Sequence, residues 1–444
     1  MQAQGSQVPA RAKQGSEANS HDKWSWVEAS VWTERMLAAL ENGVKGGKWF
    51  SLIDKVRRVQ TLQAAWQRVR ANKGAAGVDK QSVNAFGQRA EQYLQELSDA
   101  LVAGTYKPEP IKRVEIPKAG GKTRPLGIPV VKDRIVQTAV KMVLEPIFEA
   151  QFLDCNWGFR PRRGAKDALR EVSELLKQGY TYVVDADLES FFDTIPHDRL
   201  NARLAERISD GRVLELIDGW LRQDIMIGLE RWRPTKGTPQ GAVLSPLLAN
   251  CYLHGLDVHL DSQEMRVVRY ADDFVVLCRN AQQAQAALGQ VQDWVQANGL
   301  KLHAQKTHVG DAMQPGQGFE FLGYRFEAGR RWVRKKSMQA IKDRIRGLTR
   351  RTRGDGLARA IEQINAVLRG WYAYFKHARP QTFRNVDGFV RRRLRSMLRK
   401  QRGQRARSSR ALNDHRRWPN AYFAEQGLFT LQAAHASASR SRCS

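Results

Sequence analysis

Residues 267–277 read VVRYADDFVVL, two apolar runs of strand-like composition that flank a pair of adjacent aspartates. No Gly, Asn or Pro is present to make the hairpin turn. Like charges this close raise each other's pKa unless a cation neutralises them. The stretch therefore predicts an antiparallel strand pair whose tip holds acidic functional groups.

A second acidic strand is predicted upstream, where residues 180–188 read YTYVVDADL and Phe191-Phe192 follow. A carboxylate from this strand would join Asp272 and Asp273 in a magnesium site, since Mg²⁺ prefers hard oxygen ligands. Two ions about 3.5–4 Å apart can activate a 3′-hydroxyl and stabilise a leaving pyrophosphate. The alternative is that each Asp caps a turn or helix, the usual role of an isolated Asp-Asp pair.

The net charge of the chain and its distribution indicate the kind of partner that the protein binds. The chain holds 73 Lys and Arg against 45 Asp and Glu, a net charge of +28 over 444 residues. Residues 331–410 alone contain 25 Lys and Arg and 4 Asp and Glu, so one fifth of the chain carries +21 of this charge. A localised cationic region suits binding to backbone phosphates. We therefore expect a nucleic-acid partner.

The pattern along the chain predicts an α+β region followed by an all-α basic region. Residues 1–22 lack periodicity and are interpreted as a disordered tail. Helices are predicted at 132–152, 164–178 and 281–298, and strands at 111–118, 123–131, 180–188, 300–309 and 319–326. No apolar run is long enough for a membrane span, no secretory signal is visible and the four cysteines are scattered, so a cytoplasmic protein is expected.

Several stretches resemble the palm motifs of reverse transcriptases, and more narrowly those of bacterial group II intron-encoded reverse transcriptase/maturases. The palm-like stretches are RYADDFVVL, DADLESFFDTI and GTPQGAVLSPLLAN. Others, in the family's order, are KGAAGVD (73–79), RPLGIPVVKDRIVQTAVKMVLEPIFE (124–149), NWGFRPRRGAKDAL (156–169), GLKLHAQKT (299–307), FEFLGYRF (319–326) and LRGWYAYF (368–375). HRRWPNAYFAEQGLFTL (415–431) is similar to the C-terminal signature of the compact group IIC branch.

The resemblance implies a right-hand polymerase with fingers, an antiparallel palm sheet and an all-α thumb/maturase domain. The implied domains are an N-terminal extension at 23–80, fingers and palm at 81–326, the basic thumb/maturase domain at 327–431 and a C-terminal tail at 432–444. It also implies that the chain ends without an endonuclease domain, so that priming would use an existing DNA end such as a nascent strand.

The resemblance assigns the catalytic and metal-binding roles to Asp187, Asp272 and Asp273. Asp187 is preferred to Asp185 because the family places an aromatic residue five positions after the catalytic Asp, where Phe192 stands. Phe192 would crowd the sugar 2′ position, and Phe191 is expected to be core. The implied cofactor is two Mg²⁺ ions, with Mn²⁺ as a possible substitute.

The resemblance also assigns residues that contact nucleotide, primer and RNA. Lys118 and Arg124 would reach the triphosphate, Gln240 would lie near the sugar or template, and Lys306 would serve as a basic residue near the pyrophosphate, with a solvated lysine as the alternative. The remaining assignments are a primer grip at Leu322, Gly323 and Tyr324, and RNA binding by Arg391, Arg392, Arg393 and Arg395. The cluster at 371–375 is expected to be thumb core.

The function implied is RNA-directed DNA synthesis that copies intron RNA for retrohoming, together with assistance to splicing. Its partners would be group II intron RNA, a template–primer of RNA and DNA, dNTPs and target DNA, in the bacterial cytoplasm at the nucleoid. The alternatives are a domesticated relative that acts in DNA repair or phage defence, a splicing cofactor with a vestigial polymerase site and an RNA-dependent RNA polymerase. Ala271 favours the mobile-intron reading, because the repair lineage tends to carry a larger aliphatic residue there.

Overall fold

The computed structural model describes residues 23–44, 46–117, 123–350, 354, 356–401 and 411–440. Contacts divide the chain into two compact units. The first takes its described residues from Met1–Phe152 and Ser190–His254, and the second from Leu153–Glu189 and Gly255–Ser444. The predicted tail at 1–22 lies outside the described residues, and the predicted domain bounds stay a prediction.

The strands are short and contribute to three sheets. In chain order they are β1 (Ile111–Pro117), β2 (Thr123–Ile128), β3 (Tyr182–Asp187), β4 (Ile225–Ile227), β5 (Glu230–Trp232), β6 (Arg266–Tyr270), β7 (Asp273–Cys278), β8 (His308–Asp311), β9 (Phe319–Phe321), β10 (Tyr324–Glu327) and β11 (Arg330–Val333).

Helices account for more of the described chain than strands do. In chain order they are α1 (Glu34–Asn42), α2 (Ile53–Val56), α3 (Val59–Ala71), α4 (Val83–Gly87), α5 (Ala90–Ala103), α6 (Val131–Glu149), α7 (Ala165–Lys177), α8 (Phe191–Thr194), α9 (His197–Ala205), α10 (Gly211–Leu221), α11 (Ser245–Ser262), α12 (Ala281–Ala297), α13 (Lys335–Leu348), α14 (Leu357–Phe375), α15 (Pro380–Gln401), α16 (Ala411–Arg417), α17 (Asn420–Glu425) and α18 (Leu431–Arg440).

The first unit is built around α6, which is buried along nearly its whole length. Helix α3 packs against it and buries Leu62, Trp66 and Val69, which recur at the spacing of one helix face. Beside these helices, β1 pairs antiparallel with β2 and parallel with β4 in the sheet β2-β1-β4-β5. The two strands predicted at 111–118 and 123–131 thus form one hairpin.

The second unit contains an antiparallel sheet in the order β6-β7-β3-β8. Hairpin β6–β7 confirms the predicted strand–Asp-Asp–strand arrangement. Val183 on β3, together with Val275 and Leu277 on β7, belongs to a buried core that also includes Phe321 of β9. Because side chains alternate along a strand, the same face of β3 and β7 that is apolar at one end carries Asp187 and Asp273 at the other.

The basic region is helical, as predicted. Helix α13 packs on α14 and α15, and the aromatic cluster at 371–375 packs on the core of this unit, as expected. Helix α18 packs on α15, with the His435 ring 4.9 Å from that of Phe383. Residues 432–440, expected to be part of a tail, therefore belong to a packed helix.

The strand predicted at 300–309 is wrong over most of its length. Strand β8 starts only at His308, because the backbone N–H groups of Lys306 and Thr307 both donate to the His303 carbonyl and form a turn. Among the helices of the described chain, none is long and apolar enough to span a membrane.

Candidate active site

The carboxylates predicted from the two acidic strands lie on one sheet. Asp187 at the end of β3 is the register partner of Asp273 at the start of β7. Side chains directly opposite each other in an antiparallel pair lie on the same face, with Cβ atoms roughly 4.5–5.5 Å apart. Asp185 lies two residues before Asp187 and therefore also faces this side. The structure thus brings Asp187 and Asp273 together and places Asp185, which is not one of the three predicted carboxylates, on the same face.

The tip of the hairpin turns without glycine. Ala271 has a φ of +60°, the left-handed region that a residue with a Cβ rarely occupies. Its carbonyl oxygen accepts a hydrogen bond of 3.0 Å from Nη1 of Arg269. Gly158 lies against the same turn, and a Cβ at that position would collide with the backbone nitrogen of Ala271. The turn that presents Asp272 is therefore held by its surroundings rather than by turn-forming residues.

Arg269 is a residue that sequence reasoning missed. Both Arg269 and Asp257 are fully buried, and the Arg269 guanidinium binds both carboxylate oxygens of Asp257, with Nε 2.7 Å from Oδ1. The backbone of Arg269 also bonds to Cys155 and Trp157. The available signal was an arginine inside an otherwise apolar strand, since a buried charge needs a partner.

The carboxylates repel one another in a partly dry site. Burial, with Asp185 and Asp272 nearby, raises the pKa of Asp273 to about 7, although a backbone hydrogen bond from Leu322 opposes the shift. Burial is also the main cause that raises the pKa of Asp185 to about 6 and raises the pKa of Asp272. A bound cation would relieve this repulsion, because it favours the ionised form of each group.

Two basic side chains approach the acidic face from the loop and strand that follow α12. Lys306 Nζ lies 2.7 Å from Oδ2 of Asp187, and His308 Nδ1 lies 4.0 Å from Oδ2 of Asp185. Sequence reasoning placed Lys306 near the pyrophosphate and did not foresee its ion pair with Asp187. Its role with nucleotide stays a prediction.

The donor set fits a hard divalent cation. Asp187, Asp272 and Asp273 offer only carboxylate oxygens, the ligands that Mg²⁺ and Mn²⁺ accept, and no Cys competes for a softer metal. In the part of the chain that the structure describes, no group of three or more His, Cys, Asp and Glu side chains is already gathered in metal-binding geometry. The metal assignment therefore depends on the chemistry of these carboxylate oxygens.

The predicted primer grip is a tight turn between β9 and β10. Leu322 and Gly323 have φ values of +46° and +84°. The Leu322 carbonyl accepts a 2.8 Å bond from the Tyr374 hydroxyl, and the Tyr324 hydroxyl donates to the Tyr374 carbonyl at 2.8 Å. The hydrogen bond from the Leu322 backbone to Asp273 places this turn directly beside the acidic face.

The predicted nucleotide-binding residues belong to the first unit, except Lys306. Arg124 is exposed on β2, opposite Ile116 of β1, whereas Lys118 lies outside the described residues. Phe191 is buried, as expected for a core ring, and its ring centroid lies 5.5 Å from that of half-buried Phe192.

Gln240 lies close to the Phe192 segment within this unit. Its Nε2 donates to Asp193 Oδ2 at 3.3 Å, and the backbone N–H of Gly127 donates to its carbonyl at 2.7 Å. The backbone N–H of Thr238 donates to the Phe192 carbonyl at 2.6 Å. The structure therefore joins Phe192 and Gln240 in one local network, while their nucleotide contacts stay predictions.

The four arginines predicted to bind RNA are not equivalent. Arg395 is buried, and its guanidinium donates to the Trp418 carbonyl and to Asn420 Oδ1, each at 2.9 Å. Arg393 donates to the hydroxyl and carbonyl of Thr349, both at 3.0 Å. The guanidinium groups of Arg393 and Arg395 therefore hold helices together, which argues against a direct role in RNA binding. Arg391 is half-buried and Arg392 is exposed, and RNA binding by these two residues stays a prediction.

Comparison with known families gives two adjoining matches. Residues 116–326 match the family described as reverse transcriptase (RNA-dependent DNA polymerase). Residues 338–418 match the family described as group II intron, maturase-specific domain. The first range contains every catalytic carboxylate predicted above, and the second covers most of the basic helices.

The chain is also similar to individual proteins. Protein YkfC of Escherichia coli is 34% identical over 331 residues, which cover 64% of this chain and 84% of that protein. The group II intron-encoded protein LtrA of Lactococcus lactis is 35% identical over 215 residues, which cover 48% of this chain and 35% of that protein. A solved structure entitled partial Cas6-RT-Cas1–Cas2 complex is 28% identical, with a TM-score of 0.36, and the match covers 55% of this chain and 42% of that one.

The antiparallel sheet with its acidic end and the helical region that follows it have the architecture of a right-hand reverse transcriptase with a maturase domain. The chain belongs to the family of group II intron-encoded reverse transcriptases. The maturase-specific match favours the predicted polymerase and splicing function over the alternative in DNA repair or phage defence. The group IIC branch and the bacterial source stay predictions.

Proposed function

We propose that the protein copies group II intron RNA into DNA from dNTPs by a two-metal mechanism and binds the same RNA to assist its splicing. The observation that carries the polymerase proposal is the cross-strand pair Asp187–Asp273 beside the Asp272 turn. Carboxylates converge there on one face of a sheet, with a primer-grip turn bonded to one of them. A structural role alone does not require this concentration of charge.

Asp187, Asp272 and Asp273 would hold the metal. When bound, two Mg²⁺ ions, or Mn²⁺ in their place, supply activation of the primer 3′-hydroxyl and charge stabilisation at the leaving pyrophosphate. The protein's own part is to fix these oxygens. Asp273 is oriented by the backbone N–H of Leu322. Asp187 pairs with Lys306, and a bound cation would compete with that lysine for the carboxylate.

The other predicted contacts complete the substrate side of the proposal. Leu322, Gly323 and Tyr324 would support the primer end, and Gly323 permits the tight turn there because its φ is +84°. Arg124, with Lys118, would bind the triphosphate as charge-assisted donors. Phe192 would exclude a 2′-hydroxyl, and Gln240 would orient the sugar or template.

The basic helices α13–α15 support the RNA-binding half of the proposal. Their cations include Arg391, which is half-buried, and Arg392, which is exposed. Helix-borne cations recognise folded RNA chiefly through its shape and its phosphates. We further propose that the protein is of group IIC type, acts on DNA targets for retrohoming, and works in the bacterial cytoplasm at the nucleoid, where those substrates are.

Primer extension tests the polymerase proposal. The purified protein should incorporate dTTP on poly(rA) primed with oligo(dT), should stop when a chelator removes divalent metal, and should resume with added Mg²⁺ or Mn²⁺. Failure to extend under all metal conditions would contradict the proposal.

Splicing is measured separately, as the rate at which a group II intron transcript splices with and without protein. Asp272→Ala should abolish extension and leave this stimulation intact. Equal loss of both activities would show that the two functions are not separable in the way proposed.

A further inference from the structure

A cationic cavity in the second unit is lined by none of the predicted catalytic carboxylates, although Tyr324 of the predicted primer grip belongs to its lining. It has a volume of about 210 Å³ and is lined by Lys166 and Arg170 of α7, Arg331 of β11, and Lys376 and His377 at the end of α14, among others. The cavity is lined jointly by the reverse transcriptase range, the maturase range and the short connection between them.

The charges that line this cavity are not balanced. Arg170 pairs with Asp167 at 3.1 Å, and Lys177, which also lines the cavity, pairs with Glu174 at 3.3 Å. Lys166, Arg331 and Lys376 have no carboxylate within ion-pair distance anywhere in the described ranges. Glu174 also lines the cavity but is paired with Lys177, so three cations face this space without an ion-pair partner among the described residues.

Arg331 is the most informative of these cations. It is only partly exposed, and burial lowers the pKa of its guanidinium. A guanidinium taken partly out of water without a carboxylate partner is unfavourable unless an anion replaces the lost hydration. Its planar fork suits a phosphate, which accepts two parallel hydrogen bonds.

A neighbouring cavity indicates a polymeric ligand. It has a volume of about 270 Å³ and shares Ser173, Lys177 and Arg331 with the first cavity. It adds another cation, Arg330, and one carboxylate, Glu327, which is paired with Arg325 at 2.7 Å. A free phosphate needs only one compartment, whereas a nucleic-acid backbone can pass through both.

We propose that the cavity between α7, β11 and the end of α14 binds a backbone phosphate of the intron RNA, so that the RNA contacts the reverse transcriptase and maturase parts together. This inference rests on the proposed RNA-binding function and names a surface for it. The site differs from Arg391 and Arg392, which lie on α15.

Lysine protection in the unmodified protein tests the proposal directly. Acetylation by an N-hydroxysuccinimide ester is measured by mass spectrometry for Lys166 and Lys376, with and without a folded group II intron transcript. Lys48 and Lys107 of the first unit, which are exposed, serve as internal controls. We expect the transcript to slow labelling of Lys166 and Lys376 at least fivefold more than labelling of the controls.

Two results would overturn the proposal. One is an unchanged ratio of cavity to control labelling when RNA is added. The other is equal protection by inorganic phosphate alone at millimolar concentration, which would make the cavity a free-anion site.

A matched pair of variants completes the test. Arg331→Gln/Lys376→Gln and Lys48→Gln/Lys107→Gln each remove two charges. The cavity variant should bind the transcript about five- to tenfold more weakly and lower the slope of log K against log salt by about one, because one phosphate contact is lost. The control variant should change neither, and equal changes in both would contradict the site.

The control variant should extend oligo(dT) on poly(rA) at the wild-type rate. If the unmodified protein fails to extend, the proposed polymerase function is wrong. If it extends and the lysines are not protected, only the cavity proposal is wrong.

Discussion

Replacement of Arg269 by Gln should destabilise the protein and disable its active site for separable reasons. The substitution removes the cation from a pair in which both side chains are 0% exposed. The Asp257 carboxylate is then left buried and uncompensated, a change that costs about 3–5 kcal/mol. The Ala271 carbonyl also loses its donor.

The double variant Asp257→Asn/Arg269→Gln separates the two effects. It removes both charges, so most of the lost stability should return, and we expect a cost of about 1–2 kcal/mol. The rate of primer extension should not return, because Ala271 still lacks the guanidinium that holds its left-handed backbone. Urea unfolding followed by fluorescence gives the free energy of unfolding, and single-turnover extension gives the rate.

If Arg269→Gln alone lowered the free energy of unfolding by less than about 1 kcal/mol, the argument that it leaves Asp257 buried and uncompensated would be refuted. Recovery of full extension rate in the double variant would refute the positioning argument, since the turn would then hold its shape without Arg269.

Three further changes test other parts of the account. Gly158→Ala should leave the protein folded yet reduce extension at least tenfold, because its Cβ would displace Ala271; circular dichroism and primer extension check this, and unchanged extension would contradict it. Phe192→Val should raise the ratio of ribonucleotide to deoxynucleotide incorporation, measured as kcat/KM, and an unchanged ratio would refute the role of Phe192 at the sugar. Phe191→Val should mainly lower the melting temperature, since Phe191 is buried. Burial raises the pKa of Asp133 to about 6, so its ionisation opposes folding, and the free energy of unfolding should fall by roughly 2–3 kcal/mol as the pH rises from about 4 to about 7. Asp133→Asn should flatten this part of the profile, and an unaltered slope would contradict the account.

The parts of the site that the sequence predicted are those with a local signal. The patterns VVRYADDFVVL and YTYVVDADL predicted that a carboxylate of the second strand would join Asp272 and Asp273, and the family resemblance selected Asp187. The register places Asp187 opposite Asp273. Phe191 was expected to be the core ring of the adjacent pair, and it is buried.

The parts that were missed depend on specific hydrogen bonds, which the hydrophobic pattern of the sequence does not report. Asp257 lies on α11 and Arg269 lies on β6, and nothing in either segment alone indicates that the two residues pair. The turn that replaces the predicted strand before His308 forms through hydrogen bonds to His303, which periodicity does not report. Arg395 looks like its neighbours in a basic run, but packing against Trp418 and Asn420 encloses it.

The most direct test of the central claim is primer extension by Asp273→Asn, compared with Asp293→Asn. Both variants remove one carboxylate from the second unit, but Asp293 is exposed on α12. We expect Asp273→Asn to remain folded but to extend primers about a hundredfold more slowly than wild type. The substitution removes a carboxylate that stabilises charge at the reacting atoms. Asp293→Asn should extend like wild type. Robust extension by the folded Asp273→Asn protein would contradict the assignment of the acidic face as the polymerase active site.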